Sequence, residues 1–119
     1  MSLGSLDIIK PGLLTSVQDL GRYGHQALGV PVAGPMDAFS HRLANQLVGN
    51  DPAAATLEVT LIGPELTIEA ETTIAITGAL FEVTCDDRPM PTCASFAVQR
   101  GQRLKFGRRV QGARAYIGI

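Results

Sequence analysis

From Thr56 onward the chain alternates apolar and polar residues with a period of two, and this pattern constrains the fold more than any other feature. Such a period puts one row of side chains into a core and the other row towards solvent, which is the requirement of a half-buried strand. Leu57, Val59 and Leu61 make one row, Leu66 and Ile68 a second, Ile74 and Ile76 a third, and Phe81, Val83 and Cys85 a fourth. Gly63-Pro64, Ala70-Glu71 and Thr77-Gly78 read as the turns between them. Asp86-Asp87 tolerates positive φ, so it predicts a tight hairpin with a short partner strand. Beyond it, Ala94, Phe96 and Val98 form another row. Gly101 turns the chain, and Leu104 with Phe106 form a further row that stops at Gly107. The segment from Ala113 to Ile119 reads as a strand interrupted in its middle, and an unpaired apolar edge there would invite association. The chain therefore reads as the shortened form of a longer one.

Upstream, Leu6 to Ile9 and Leu13 to Val17 read as two short strands broken by Pro11-Gly12. One amphipathic helix is predicted, from Pro35 or Met36 to Val48. Met36, Phe39, Leu43, Ala44 and Leu47 fall on its apolar face, and Asp37, His41, Arg42 and Asn45 on its polar face. Pro35 suits the first turn, Asp37 complements the positive helix end, and Gly49 and Pro52 end the element. The whole pattern, with 13 glycines and 7 prolines to supply turns, predicts a mainly β barrel or sandwich of about eight short strands with one inserted helix. At 119 residues the chain has the length of one domain, residues 1–119.

A formal net charge of −1 supplies no basic field for nucleic acid or an anionic membrane. No apolar run approaches the roughly 20 residues that span a bilayer, and no secretory signal opens the chain, so a cytoplasmic protein is expected. The leading Met1-Ser2-Leu3 has the look of an expression leader. Cys85 and Cys93 flank the predicted hairpin and read as reduced, structural thiols rather than a disulfide. Neither they nor the histidines have the spacing of a metal site, so no metal is expected.

Residues 10–50 pack glycines, prolines and hydrogen-bonding side chains into a long loop and then end in the capped helix, and a loop that long usually performs a task. Gln18, Asp19 and Arg22 cluster where the second strand ends. A guanidinium there suits a carboxylate or phosphate oxygen, and a glutamine amide can both donate to and accept from a substrate carbonyl. Alternatively Asp19 pairs with Arg22, and Gln18 satisfies loop backbone. His25 is either an acid–base group or a structural loop histidine, and His41 reads as a surface group. Gly34 and Asp37 open the helix, whose free N–H groups could hold an anion unless Asp37 itself caps them. Arg42 and Asn45, on the face away from the predicted core, either line a cleft or are solvated. Glu58 points away from Leu57 and Val59, towards a cleft or simply to solvent. No phosphate-binding loop, nucleophile elbow or pair of catalytic carboxylates is present.

Several spaced motifs carry a family resemblance. They are Thr15-Ser16-Val17-Gln18-Asp19-Leu20-Gly21-Arg22, Gly29-Val30-Pro31, Gly34-Pro35-Met36-Asp37, Arg42-Leu43-Ala44-Asn45, and Glu58 followed by Gly63-Pro64. In this order they resemble the N-terminal part of allophanate hydrolase subunit 2, also known as the 5-oxoprolinase C subunit. This is a biotin-dependent carboxyltransferase-like, urea amidolyase-related family. The resemblance implies a cyclophilin-like β-barrel, a sister subunit of related fold (of the type of allophanate hydrolase subunit 1 or the 5-oxoprolinase B subunit), and ATP-dependent amide-bond hydrolysis or carboxyl transfer by the complex. This chain itself would hold no cofactor, with ATP, and biotin on a partner, belonging to the complete complex. The chain would be inactive without its partner and the remainder of the family subunit.

By the same resemblance Gln18 and Arg22 are candidates for catalysis, with Asp19 orienting, and His25 joins them from its residue type alone. The resemblance favours Arg42 and Asn45 as cleft residues, and with Gly34 and Asp37 from the helix start and Glu58 from its strand position they would bind a small amide or carboxylate. A second reading is regulatory, since some relatives bind a sister-type subunit and relieve its inhibition of a sensor kinase. Prolyl isomerisation would rest on fold alone, which does not carry function.

Overall fold

The computed structural model describes residues 2–3, 6–10, 12, 14–18 and 37–119, the strands before residue 37 through their backbone. The described residues form nine strands and one helix: β1 (Ser2–Leu3), β2 (Leu6–Lys10), β3 (Leu14–Gln18), α1 (Ala38–Leu47), β4 (Thr56–Thr60), β5 (Glu65–Ile68), β6 (Thr72–Cys85), β7 (Arg88–Pro89), β8 (Ser95–Val98) and β9 (Arg103–Gly118). The mainly β expectation holds. All strand pairs are antiparallel.

Two long strands organise the sheet. β6 and β9 pair along most of their length, from Ala75↔Gly118 to Cys85↔Leu104. The far edge of β9 is shared, β5 lying against its first half and β4 against its second. β2 continues outward from β5, and β3 from β4. β8 and β7 pair with the two ends of β6. The order is open among the described residues, which form two sheet halves sharing the β6–β9 pair and do not by themselves close the barrel implied by the resemblance.

The predicted turn at Thr77-Gly78 and the predicted stop at Gly107 are both corrected, since each lies inside a continuous strand. Gly78 (φ 85°) and Gly112 (φ 81°) adopt the left-handed conformation where the register slips between Gly78 and Val83. Glycine here supports a bulge that bends a strand without ending it. The last segment is also no open edge: Ala115, Tyr116 and Ile117 are fully buried between β4 and β6.

The core follows the predicted rows. Leu57, Val59, Leu66, Ile68, Ile74, Ile76, Phe81, Val83, Val98, Leu104, Phe106 and Ile117 pack into one cluster, with Phe81 and Phe106 edge to face at 5.4 Å. Full burial of each large apolar side chain contributes about 1.5–3 kcal/mol. Leu61 departs from its row. It lies past the end of β4 at φ 58° and is exposed. The Asp86-Asp87 hairpin is as predicted, with φ of 49° and 66° and a two-residue partner strand. Both cysteines are free, Cys85 buried and Cys93 exposed, and burial pushes the Cys85 thiol pKa above its usual value.

Candidate functional site at the helix–sheet junction

β4 is buried on both faces. Leu57 and Val59 face the core, so strand alternation sends Thr56, Glu58 and Thr60 to the opposite face, where α1 lies. On β9 the same rule puts Ala115 and Ile117 in the core, and Arg114, Tyr116 and Gly118 beneath or beside the helix. Gly118 is required there: a Cβ would stand 2.6 Å from the Ala44 carbonyl oxygen. The helix thus rests on a polar surface. That overturns its predicted faces in part, although Ala44 is buried and Arg42 exposed as expected.

Phe39, predicted to face the core, is 75% exposed, whereas His41 and Asn45, predicted to face outward, are completely buried. His41 Nδ1 hydrogen-bonds Thr56 Oγ1 at 2.9 Å, and its ring meets that of Tyr116 edge to face at 6.3 Å. Asn45 Nδ2 donates to the carbonyls of Pro52 (3.2 Å) and Ala54 (2.8 Å), tying the helix end to the loop that leads into β4. These bonds give Asn45 an architectural task. Arg42 is exposed, so the two residues do not share a face. Thr77 Oγ1 donates to the Ser40 carbonyl at 2.6 Å, another polar tie between helix and sheet.

At the start of the helix, Asp37 is the N-cap. Its Oδ1 accepts from the Ser40 N–H at 3.0 Å and its Oδ2 from the Ser40 hydroxyl at 2.6 Å. The hydroxyl bond above all, together with the backbone bond, holds the Asp37 carboxyl below the usual carboxylate range despite an opposing effect of burial. Of the two readings of the helix start, the structure therefore shows the cap: the side chain of Asp37 occupies the place an anion would take. The Asp37 N–H donates in turn to the Tyr116 hydroxyl at 2.8 Å, and that hydroxyl donates to Glu58 Oε2 at 2.6 Å. Three elements distant in sequence are joined by one buried phenol. Burial, followed by the Glu58 bond, pushes the Tyr116 pKa far above that of a free phenol. Glu58 is therefore neither core-facing nor solvated, and its carboxylate lies under the helix start.

This chain of bonds ends at an open groove. Asp37 and Ser40 form one wall, and residues 78–80 of β6 and 111–114 of β9 form the rest, around about 550 Å³. That volume suits a small ligand. A Cβ on Gly78 would stand 2.6 Å from the Arg114 carbonyl oxygen, and one on Gly112 3.0 Å from Ala79, so the bulge glycines allow the strands to approach at the groove floor.

Of the residues singled out from sequence, the structure thus brings Asp37 and Glu58 together through Tyr116, and keeps Asn45 and Arg42 apart. The backbone of Gln18 ends β3 opposite Thr56. Its side chain, together with Asp19, Arg22, His25 and Gly34, lies outside the described residues. Sequence reasoning missed Ser40, Thr77, Gln111, Arg114 and Tyr116. The available signal was the alternation itself, which places a tyrosine and an arginine on the non-core face of β9.

Comparison with known proteins agrees with the motif resemblance. A model of the carboxyltransferase domain, subdomain A and B, matches residues 28–119. Urea amidolyase of Saccharomyces cerevisiae is 47% identical over 116 residues, which cover 97% of this chain and 6% of that protein. The 5-oxoprolinase C subunit of Escherichia coli is 41% identical over 116 residues, covering 96% of this chain and 37% of that protein. The crystal structure of the Kluyveromyces lactis urea carboxylase superposes with a TM-score of 0.87 at 42% identity, over 94% of this chain and 10% of that one. The chain thus spans about a third of the 5-oxoprolinase relative and a small fraction of the yeast enzymes.

Proposed function

The chain belongs to the family of carboxyltransferase domains, subdomain A and B, and on that premise we propose that it serves as one domain of an ATP-dependent enzyme of the 5-oxoprolinase or urea carboxylase type. Its substrate would be a small amide or carboxylate held at the groove. The observation that carries this reading is the buried line from Glu58 through Tyr116 to Asp37, which fixes one wall of an open groove. A helix that only needed to be attached would be served as well by apolar contacts. Polar groups satisfied in a fixed geometry at a groove rim provide the preorganisation on which electrostatic catalysis depends.

In this proposal Gln18, Arg22 and His25, encoded where β3 ends, supply the amide, guanidinium and imidazole that orient the substrate and handle its charge. Arg42, exposed on α1, is available to a sister subunit of the 5-oxoprolinase type. ATP hydrolysis and any biotin attachment are assigned to other parts of the assembly, because this sequence offers no glycine-rich phosphate loop and no biotin-attachment motif. The assembly is assigned to the cytoplasm.

The test is to purify the complete protein with its sister subunit and measure ATP hydrolysis stimulated by 5-oxoproline or by urea. Stimulated turnover that falls at least about tenfold in Arg22→Ala, with the fold retained, supports the reading. Tight partner binding with no turnover on either substrate would refute it.

A further inference from the structure

The edge of β9 that faces away from β6 is covered at both ends and bare in the middle. β5 pairs with Arg103, Leu104 and Lys105, and β4 with residues 114–117. Between them the ladder stops where the Phe106 N–H donates to the Pro64 carbonyl at 3.1 Å, and resumes where the Leu61 N–H donates to the Ala113 carbonyl at 2.8 Å. Among the described residues nothing pairs with residues 107–112 from that side. The connection from β4 to β5 crosses the interval in four residues, 61–64, whereas β9 spends seven, 107–113, so β9 bows away from it. Both faces of β9 are exposed through this bow, although the strand is half-buried before it and buried after it.

Two features of the bow point to its occupant. Of the five large apolar side chains exposed among the described residues, four border it: Leu61 and Ile62 from the connection, Leu80 and Val110 from the β6–β9 pair. Exposed apolar side chains scattered singly need no explanation, but a group of them at a bare strand edge marks an interaction surface. The charge is also one-sided. From Gly107 to Arg114 there are three arginines and no acid. Glu82, across the pair on β6, meets Arg108 at 3.2 Å, but both side chains are largely exposed and such a pair exchanges at little cost. Arg109 and Arg114 meet no carboxylate among the described residues.

We propose that the bow of β9 is a docking edge for an extended, acidic segment of a partner polypeptide, which adds as a strand along residues 107–112, sets carboxylates against Arg108 and Arg109, and covers Leu61, Ile62 and Val110. A run of six residues is about the usual length of a strand, so the main chain of the bow can hold one. Main-chain bonds supply affinity in this mode, and the arginines and apolar side chains supply the choice of sequence. A second copy of this chain fits less well, because two such edges would collect like charges on one ribbon. An oligonucleotide would satisfy the arginines and leave the apolar side chains and the strand edge unused. The groove lies between α1, β6 and β9, whereas this edge is the other side of β9, so docking here goes beyond the small-molecule reading and does not rest on it.

The probe is a capped hexapeptide of alternating glutamate and valine, titrated into the intact protein and followed by fluorescence anisotropy. Three controls accompany it: the peptide with lysine for glutamate, the peptide with its internal amides N-methylated, and a thymidine hexanucleotide. The glutamate peptide is expected to bind at least about tenfold more tightly than the lysine peptide or the oligonucleotide, a close charge pair contributing that much. N-methylation should weaken it at least about tenfold through the lost main-chain bonds. Binding should slow amide exchange in residues 107–112 and leave α1 unaffected. The double variant Arg108→Glu, Arg109→Glu alters two exposed side chains and should reverse the preference in favour of the lysine peptide, whereas Arg88→Glu, on the exposed strand β7, should change nothing.

No binding of the glutamate peptide at millimolar concentration, equal binding of its N-methylated form, unchanged exchange in residues 107–112, or an unreversed preference in the folded double variant would each overturn the proposal. Equal or tighter binding of the oligonucleotide would make the edge a polyanion site instead, and a dimer in sedimentation that protects residues 107–112 would make the occupant a second copy. Either result refutes the acidic strand. The N-methylated peptide is measured on the unaltered protein, which keeps the test decisive if the double variant fails to fold.

Discussion

Tyr116→Phe keeps the buried ring and its edge contact with His41, and deletes only the oxygen that joins Asp37 to Glu58. The Glu58 carboxylate loses a 2.6 Å donor while remaining 6% exposed. Loss of a hydrogen bond to a charged group costs about 1.5–3 kcal/mol, and the partly buried Asp37 N–H, left without its acceptor, adds about 1 kcal/mol. A loss of about 3 kcal/mol is expected, a large share of the roughly 5–15 kcal/mol available to a domain. With a urea slope of about 1.5 kcal/mol per molar, the unfolding midpoint should fall by about 2 M at pH 7, read by circular dichroism.

The pH dependence gives an independent check on the same variant. The folded-state pKa of Tyr116 is raised, so the stabilisation is complete below the unfolded phenol value near 10. It declines as pH rises further, because only the unfolded state then releases the proton. The gap between parent and variant should narrow by about 1.4 kcal/mol per pH unit above about pH 10. A midpoint change worth less than about 1 kcal/mol, or a gap constant to pH 11, would refute the view that this hydroxyl ties the helix start to the sheet.

Three further outcomes follow from the same junction. Asp37→Ala removes the cap and should cost about 1 kcal/mol at pH 7. Because the folded-state carboxyl is depressed, that difference should be complete above the unfolded value near pH 4 and fade as pH falls through the folded one, measured by denaturation at stepped pH. Asn45→Ala should lower stability by about 2 kcal/mol and speed amide exchange in residues 50–55, since its bonds go to Pro52 and Ala54. A raised KM with an unchanged melting temperature would instead make Asn45 a substrate ligand. Gly118→Ala drives a methyl group against the Ala44 carbonyl and should cost about 1–3 kcal/mol, visible as a lower melting temperature and shifted amide resonances along α1.

How far these features could be read in advance depends on which neighbour each residue meets. Strand rows such as Ile74 with Ile76, and Leu104 with Phe106, were legible because a sheet buries alternate residues whatever packs on it. The Asp86-Asp87 hairpin was legible because its backbone conformation is a local matter. Gly78 and Gly107 misled because glycine punctuation has two structural meanings, turn and continuing strand, and only pairing across β6 and β9 decides between them. The departures of Phe39, His41 and Asn45 from the predicted faces of α1 have a different cause. An apolar stripe points inward only if the surface it meets is apolar, and this sheet face presents Thr56, Glu58, Thr77 and Tyr116, so the helix turns His41, Asn45 and Ser40 towards it and leaves Phe39 outside. The candidate site was thus hidden by the property that defines it. A helix held by polar groups breaks the hydrophobic pattern at the point where those groups are satisfied, so the misassigned residues of α1 and the groove wall at Asp37 and Ser40 share one physical origin.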